Sequence, residues 1–237
     1  MATLKYISYL FVFGFVGFNC SQNEDIILVD PIEELSESDT IQYLALGDSY
    51  TIGESVPVSE RFPHQLMDSL VIRGFQRGEL KIIARTGWTT DELQKAINVE
   101  NPPTDQYNLV TLLIGVNNQY RGYPIEQFKK EFTELLHQAV AFAGGKAERV
   151  FVVSIPDYGV TPFAATRNPE KIGSEIDEYN AQKQLITEQI GATFINITPI
   201  SRLAKEDPTL VANDRLHPSG TMYTEWVKEL LPEVVKR

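Results

Sequence analysis

The chain has 237 residues, of which 43% are hydrophobic and 22% charged, an ordinary globular composition with room for one large domain or two small ones. Its 21 basic and 32 acidic residues give a formal net charge of −11. This charge argues against nucleic-acid binding, because a phosphate backbone requires a basic protein face.

The first 20 residues have the pattern of an export signal. Lys5 is the only charged residue before position 24, and it precedes an apolar run at residues 6–18. That run is shorter than the roughly 20 residues that span a bilayer. The only cysteine, Cys20, closes the run, an arrangement that resembles a bacterial lipoprotein signal, in which the thiol is diacylated.

We therefore expect a lipoprotein signal at residues 1–20, lipidated on Cys20, and a flexible acidic tether at residues 21–40. The protein would be exported and anchored to a bacterial envelope membrane, facing the periplasm or the cell surface. Ordinary secretory cleavage nearby, or a short uncleaved anchor, is the alternative.

From residue 41 onward, short apolar segments alternate with amphipathic ones. The apolar segments predict strands at residues 41–46, 80–84, 107–114, 150–155 and 193–197. Apolar positions spaced for a helix predict helices at residues 61–73, 91–99, 124–142, 169–190 and 218–235. Wholly apolar strands that alternate with helices indicate a parallel sheet covered on both faces. The expected fold is α/β, a three-layer α/β/α sandwich with a five-stranded parallel sheet, in one domain at residues 41–237.

Polar residues and glycines follow the ends of these strands. Ser49 follows the first strand, Gly87 the second and Asn117 the third, whereas Asp214 and His217 lie in the last loop. Ligands of such sheets bind outside the carboxyl ends of the strands, so these residues should meet at one edge.

A serine, a histidine and an aspartate are the parts of a nucleophilic acyl-transfer site. Ser49 would be the nucleophile, His217 its base, and Asp214 the group that orients the imidazole. The backbone N–H groups of Ser49 and Gly87, with the Asn117 amide, would form an oxyanion hole. Neither a metal nor another cofactor is expected, because the sequence has no further ligand cluster at metal-binding spacing.

Four blocks together resemble the SGNH (GDSL) hydrolase family. In the family's order, they are Gly-Asp-Ser-Tyr at residues 47–50, the isolated Gly87, Gly-Val-Asn at 115–117 and Asp-Arg-Leu-His at 214–217. The resemblance implies a flavodoxin-like fold, a Ser49–His217–Asp214 triad and an oxyanion hole formed by Ser49, Gly87 and Asn117. The chain departs from the family at Asn118, a usually supporting position where aspartate is common.

Other residues near the strand ends have open interpretations. The aromatic residues there could line an acyl or sugar pocket or simply pack; they are Trp88, Tyr120, Tyr158 and Phe163. Asp48, next to the nucleophile, is expected to orient its loop rather than take part in the chemistry. Lys183 lies among apolar residues on one side of the helix predicted at 169–190.

The expected function is hydrolysis of acyl esters through an acyl-enzyme intermediate. Proteins that the chain resembles act on short acyl esters, lysophospholipids, thioesters or O-acetylated sugars. An esterase, lipase or lysophospholipase-like activity is the first expectation, and a carbohydrate O-acetyl esterase at the cell surface is the second. A catalytically silent binding lipoprotein on the same fold, and acyl transfer to a sugar or glycan acceptor, remain alternatives.

Overall fold

The computed structural model describes residues 39–236, and a five-stranded, all-parallel sheet forms their centre. The strands are β1 (Thr40–Gly47), β2 (Gln76–Ala84), β3 (Leu109–Leu113), β4 (Val150–Val153) and β5 (Thr193–Ile195). They lie in the order β2-β1-β3-β4-β5, each pair parallel. This is the flavodoxin-like strand order. The predicted three-layer α/β/α sandwich, as in the SGNH hydrolase fold, is confirmed.

Helices connect the strands and cover the sheet. Within residues 39–236 the α-helices are α1 (Ser49–Ile52), α2 (Phe62–Ile72), α3 (Thr90–Glu100), α4 (Val116–Tyr120), α5 (Ile125–Phe142), α6 (Pro169–Ile190), α7 (Thr198–Arg202) and α8 (Gly220–Val234). The five predicted helices correspond to α2, α3, α5, α6 and α8. The sequence did not predict α1, α4 and α7, because helices of four or five residues are too short to show a periodic pattern.

The sequence predicted all five strands, but several of their ends were wrong. Every residue of β3 and of β4 is buried, so their apolar sequences mark them plainly. The edge strand β2 begins at Gln76, four residues before the predicted start at Leu80. The prediction missed these first residues because they are mostly exposed and polar. Apolar residues just beyond β3, such as Ile114, are buried without belonging to the ladder, so the predicted strand was too long.

The strand order determines where a site can form. The chain passes from β1 to β2 on one side and then to β3 on the other, so the connections diverge at β1. In open α/β sheets, a crevice for ligands lies at the carboxyl ends of the strands at this switch point. Ser49 follows β1 and Asn117 follows β3, so both flank that crevice.

The predicted signal at residues 1–20, with Cys20, lies outside the described residues, as does most of the predicted tether at 21–40. The first strand begins at Thr40, one residue before the predicted domain start. In the part of the chain that the structure describes, no helix is both long and apolar enough to cross a membrane.

Candidate active site

Ser49 occupies the first position of α1, directly after the turn that ends β1. The backbone packs closely at this turn. A Cβ atom on Gly47 would overlap the carbonyl oxygen of Leu113 on the neighbouring strand, so the position requires glycine. Asp48 caps α1, and its Oδ1 accepts a 3.0 Å hydrogen bond from the backbone N–H of Tyr50. The cap agrees with the expectation that Asp48 orients the loop.

Asp214 and His217 face each other across one turn of the loop before α8. The distance between Asp214 Oδ2 and His217 Nδ1 is 2.6 Å. Asp214 Oδ1 accepts two further hydrogen bonds, both 3.0 Å long, from the backbone N–H groups of Leu216 and His217. Arg215 makes the turn possible by adopting a left-handed conformation, with φ at 69°. The carboxylate is therefore held in place by its own loop.

Asp214 is ionised at neutral pH. Partial burial alone would raise its pKa, but hydrogen bonds from the His217 ring, the Ser55 hydroxyl and the loop backbone outweigh that effect and lower the pKa to about 2. Ser55 Oγ donates to Asp214 Oδ2 over 2.7 Å from a residue 159 positions away. An ionised Asp214 can only accept from His217 Nδ1, so in the neutral form of the imidazole the free lone pair lies on Nε2. The contact fixes the orientation of the His217 ring, as the predicted role of a base requires.

The residues predicted as nucleophile, base and oxyanion donors share one cavity of about 180 Å³. Its walls are formed by Ser49, Tyr50, Thr86, Gly87, Val116, Asn117, Tyr120, Tyr158, Phe163, Leu216 and His217. Among residues 39–236, no hydrogen bond joins the Ser49 hydroxyl to His217. Such bonds are often long without substrate and close in the complex.

The groups predicted for the oxyanion hole lie on adjacent loops that are tied together. Asn117 Nδ2 donates to the carbonyl oxygen of Trp88 over 2.9 Å, which leaves its second N–H available. Arg121 Nη2 donates to the carbonyl oxygen of Gly87 over 2.6 Å. Gly87 has φ at 85°, a conformation that favours glycine. The loops after β2 and β3 thus fix each other's geometry.

Two hydrogen bonds of Asn118 account for the amide at a position where the family often has aspartate. Its Oδ1 accepts from the backbone N–H of Thr90 over 3.1 Å, and its Nδ2 donates to Thr90 Oγ1 over 2.7 Å. An ionised aspartate has no donor for the second bond. Asn118 therefore supports the loops by fastening the start of α3 to α4.

The four aromatic residues of the sequence analysis separate into two groups. Tyr120, Tyr158 and Phe163 line the same cavity as Ser49 and His217. The side chain of Trp88 instead borders a separate surface depression beside α3, and only its carbonyl reaches the site, through Asn117. Thr86, in the loop after β2, and Val116, at the start of α4, complete the wall, and the sequence analysis gave neither side chain a role.

A buried pair of ionisable residues, Lys183 and Asp48, lies near Ser49. Lys183, on α6, is fully buried, and its Nζ donates to the carbonyl oxygens of Ile114 (3.0 Å) and Val153 (2.8 Å). Burial lowers the pKa of Lys183 to about 7, against the attraction of Asp48. Burial likewise raises the pKa of the Asp48 carboxyl to about 7, against the opposing effects of the Tyr50 N–H and the Lys183 charge.

Within residues 39–236, the buried Asp48 Oδ2 has no hydrogen-bond partner. The same residues contain no cluster of three or more histidine, cysteine, aspartate or glutamate side chains that could hold a metal ion.

Comparisons with known proteins agree with this architecture. Structures with a similar fold include TesA (16% identity, TM-score 0.62, covering 83% of this chain and 98% of that one). They also include the psychrotrophic esterase EstA from Pseudoalteromonas sp., inhibited by monoethylphosphonate (17%, 0.63, 84% and 98%). The acetylxylan esterase Axe2 from Geobacillus stearothermophilus is a third (16%, 0.61, 84% and 96%).

The sequence matches none of the curated proteins with which it was compared. The sequence model of the GDSL-like lipase/acylhydrolase family, by contrast, matches residues 45–224, which include every strand from β2 to β5 and all the predicted catalytic residues. The chain therefore belongs to the GDSL-like lipase/acylhydrolase family and is a carboxylic ester hydrolase.

Proposed function

We propose that the enzyme cleaves esters through an acyl-enzyme intermediate on Ser49, with His217 as general base and Asp214 as its orienting carboxylate. One observation carries the proposal. The 2.6 Å hydrogen bond between Asp214 and His217 orients the imidazole in the wall of the same cavity that Ser49, Gly87 and Asn117 line. A binding protein has no need of all five groups in one cavity.

The reaction follows from these positions. Ser49 Oγ attacks the carbonyl carbon of the ester, and its proton passes to His217 Nε2 while Asp214 stabilises the imidazolium. The negative charge on the former carbonyl oxygen is stabilised by the N–H groups of Ser49, Gly87 and Asn117. The intermediate collapses, and the leaving alcohol takes the proton from His217. Water then attacks the acyl group by the same route, which releases the acid and restores Ser49.

The cavity favours a short acyl group. Its volume of about 180 Å³ lies below the roughly 300–1,000 Å³ typical of pockets for drug-sized ligands. Two of its aromatic wall residues, Tyr120 and Phe163, are partly exposed, at 44% and 39%. The larger half of a substrate would therefore extend past these rings towards solvent. The first proposal is therefore hydrolysis of small acyl esters, or a lysophospholipase-like activity if the acyl chains are longer.

A carbohydrate O-acetyl esterase is the second candidate. A small cavity suits an acetyl group, and exposed aromatic rings at its mouth offer flat surfaces for a sugar. Axe2, which has a similar fold, is described as an acetylxylan esterase. Acyl transfer to a sugar would use the same residues and would appear as an acylated acceptor in place of free acid.

The test is hydrolysis of p-nitrophenyl esters from acetyl to dodecanoyl by the full chain, with Ser49→Ala beside it. We expect the variant to lose at least about 1,000-fold in kcat. Ser59→Ala, an exposed serine outside the site, is the matched control. A fluorophosphonate should add one covalent group to the wild type, on Ser49, and none to Ser49→Ala.

The chain-length profile separates the candidates. A maximum at acetyl would favour deacetylation of sugars, and a maximum at octanoyl or beyond would favour lipid substrates. Folded wild-type protein that neither hydrolyses any ester nor reacts with the fluorophosphonate would refute the proposed mechanism and favour a silent binding protein.

We also propose that the protein is exported and anchored to an envelope membrane through a lipid on Cys20. The apolar run at residues 6–18 and the lone cysteine that closes it support this proposal. Metabolic labelling with a radioactive fatty acid tests it, with Cys20→Ala as the control. An unlabelled wild-type protein, or equal labelling of both, would contradict lipidation at Cys20.

A further inference from the structure

An arginine is stacked on the aromatic wall at the mouth of the catalytic cavity. The guanidinium carbon of Arg167 lies 4.7 Å from the ring centre of Tyr120 and 5.2 Å from that of Phe163. Its Nη2 donates a 2.7 Å hydrogen bond to the hydroxyl of Tyr120. Both rings line the catalytic cavity. The guanidinium is thus held in one orientation beside two rings of the cavity wall.

Arg167 has no carboxylate partner among residues 39–236. Other arginines near the site are paired: Arg121 with Glu92 at 3.3 Å, and Arg202 with Asp157 at 2.9 Å. A guanidinium has five N–H donors in a planar fork, and the hydrogen bond to Tyr120 uses one of them. The remaining donors are available to a ligand.

The surface next to Arg167 is a second depression, of about 630 Å³, which shares Tyr120 and Tyr158 with the catalytic cavity. Its charged lining residues are Arg121, Arg167, Lys171, Glu175 and Glu178. Three cations therefore face two carboxylates. Glu175 is already bound by Gln119 at 2.7 Å and paired with Lys171 at 3.6 Å. Arg121 is paired with Glu92 outside the depression, so within residues 39–236 Arg167 is the lining cation that has no carboxylate partner.

We propose that the ester substrate carries an anionic group, a carboxylate or a phosphate, which binds Arg167 beyond the aromatic wall. The inference rests on the proposed function, since it concerns the substrate of the same site. A planar fork of donors matches both anions and can bind them through two parallel hydrogen bonds. Stacking on Tyr120 and Phe163 holds the fork in place before binding, which reduces the entropy lost when the anion arrives.

The test compares esters that differ only in charge. For the alcohol half, 3-acetoxybenzoate is paired with its methyl ester. For the acyl half, the mono-4-nitrophenyl ester of glutarate is paired with its methyl ester. The quantity measured is the ratio of kcat/KM for the anionic ester to that for the neutral one. We expect Arg167→Gln to lower this ratio about five- to tenfold in one half, and Arg167→Lys to restore part of it.

Two further readouts separate binding of an anion from mere support of the wall. The wild-type ratio should fall as salt rises, because screening weakens an exposed ion pair, whereas the ratio of Arg167→Gln should not. Inhibition by 3-hydroxybenzoate and by phenyl phosphate distinguishes a carboxylate from a phosphate, and both should bind the variant more weakly. Arg73→Gln, an exposed arginine at the end of α2, should keep the wild-type ratio.

The outcomes are distinct. Equal losses on charged and neutral esters would show that Arg167 only supports Tyr120 and Phe163, and would overturn the inference. A wild-type ratio near one in both halves would overturn it as well. In either case, hydrolysis of the neutral esters would leave the proposed function standing. Failure to hydrolyse any ester would refute the proposed function and the inference with it.

Discussion

Replacing Lys183 with methionine would test whether a buried amine holds the strand ends beneath the active site. The Lys183 Nζ joins the carbonyl oxygens of Ile114, after β3, and Val153, at the end of β4. Gly115 follows Ile114 directly and Asn117 lies two residues further on, so the amine also restrains the start of the segment that carries the proposed oxyanion donor Asn117. Methionine has a similar length and no donor.

The size of the effect follows from these contacts. Each buried carbonyl that loses its donor costs about 1–3 kcal/mol, so two cost roughly 2–6 kcal/mol. Part of this loss is offset because methionine is easier to bury than an amine. We expect a net loss of about 3 kcal/mol in the free energy of unfolding. For a chain of this size, that corresponds to a melting temperature roughly 6–12 °C lower.

The pH dependence has a definite sign. Burial lowers the pKa of Lys183 from 10.5 to about 7. The stability that the residue contributes is therefore fully present above its unfolded pKa and is lost as the pH falls through about 7. The deficit of Lys183→Met relative to the wild type should thus grow as the pH rises from about 6 to about 9.

Asp48→Asn is the matched variant, since it removes the facing charge and keeps the shape. Burial raises the pKa of Asp48 from 3.8 to about 7, so its contribution to stability is present below the unfolded pKa and is lost as the pH rises through about 7. Asp48→Asn should therefore gain stability relative to the wild type over that rise. In the double variant with Lys183→Met, the pair is replaced by two uncharged side chains, so neither is left facing an unpaired charge.

Urea unfolding of the four proteins at about pH 6 and about pH 9 gives the required free energies. We expect the double variant to be at least about 0.5 kcal/mol more stable than the sum of the single changes predicts. Strict additivity would show that Asp48 and Lys183 do not interact. An unchanged melting temperature for Lys183→Met would refute the structural role of the amine altogether.

Three further substitutions test individual contacts of the site. Asn117→Ala should lower kcat about 100-fold with little change in KM, and an unchanged kcat would remove its amide from the oxyanion hole. Ser55→Ala should raise the pKa of Asp214, followed by NMR titration, and lower kcat/KM about two- to fivefold, since water can replace an exposed hydroxyl. Asn118→Asp should cost about 1 kcal/mol in urea unfolding, because it loses the donor to Thr90, and a more stable variant would contradict that assignment.

The fold could be predicted from the sequence because burial and hydropathy coincide in it. The strands β3 and β4 are apolar on both faces, and α5 carries its buried residues on one side. The prediction of strand bounds was wrong where strand residues are polar and exposed, as in the first residues of β2. The first residues of β2 pair with β1 although they are polar, because pairing at an edge does not require burial.

The site was only partly visible in the sequence. Motifs located Ser49 and His217, because the residues that identify each of them are adjacent in the sequence. Ser55 could not be found in this way, since its contact with Asp214 joins positions 159 residues apart. Lys183 did leave a signal, because a lysine among the apolar positions of a helix must either be exposed or have buried partners. The structure shows the second case.

The contacts around the cavity form two groups, one at the proposed oxyanion donors and one at the aromatic wall. The loops after β2 and β3, which carry the proposed oxyanion donors Gly87 and Asn117, are bound to each other through Asn117 and Arg121. Such cross-loop bonds fix the donors before the reaction, which is what stabilisation of a developing charge requires. The aromatic wall at the mouth is partly exposed, and its contact with Arg167 is made by side chains alone. Changes in that wall can alter which ester enters while leaving the oxyanion donors in place, so substrate preference should depend on Tyr120, Phe163 and Arg167.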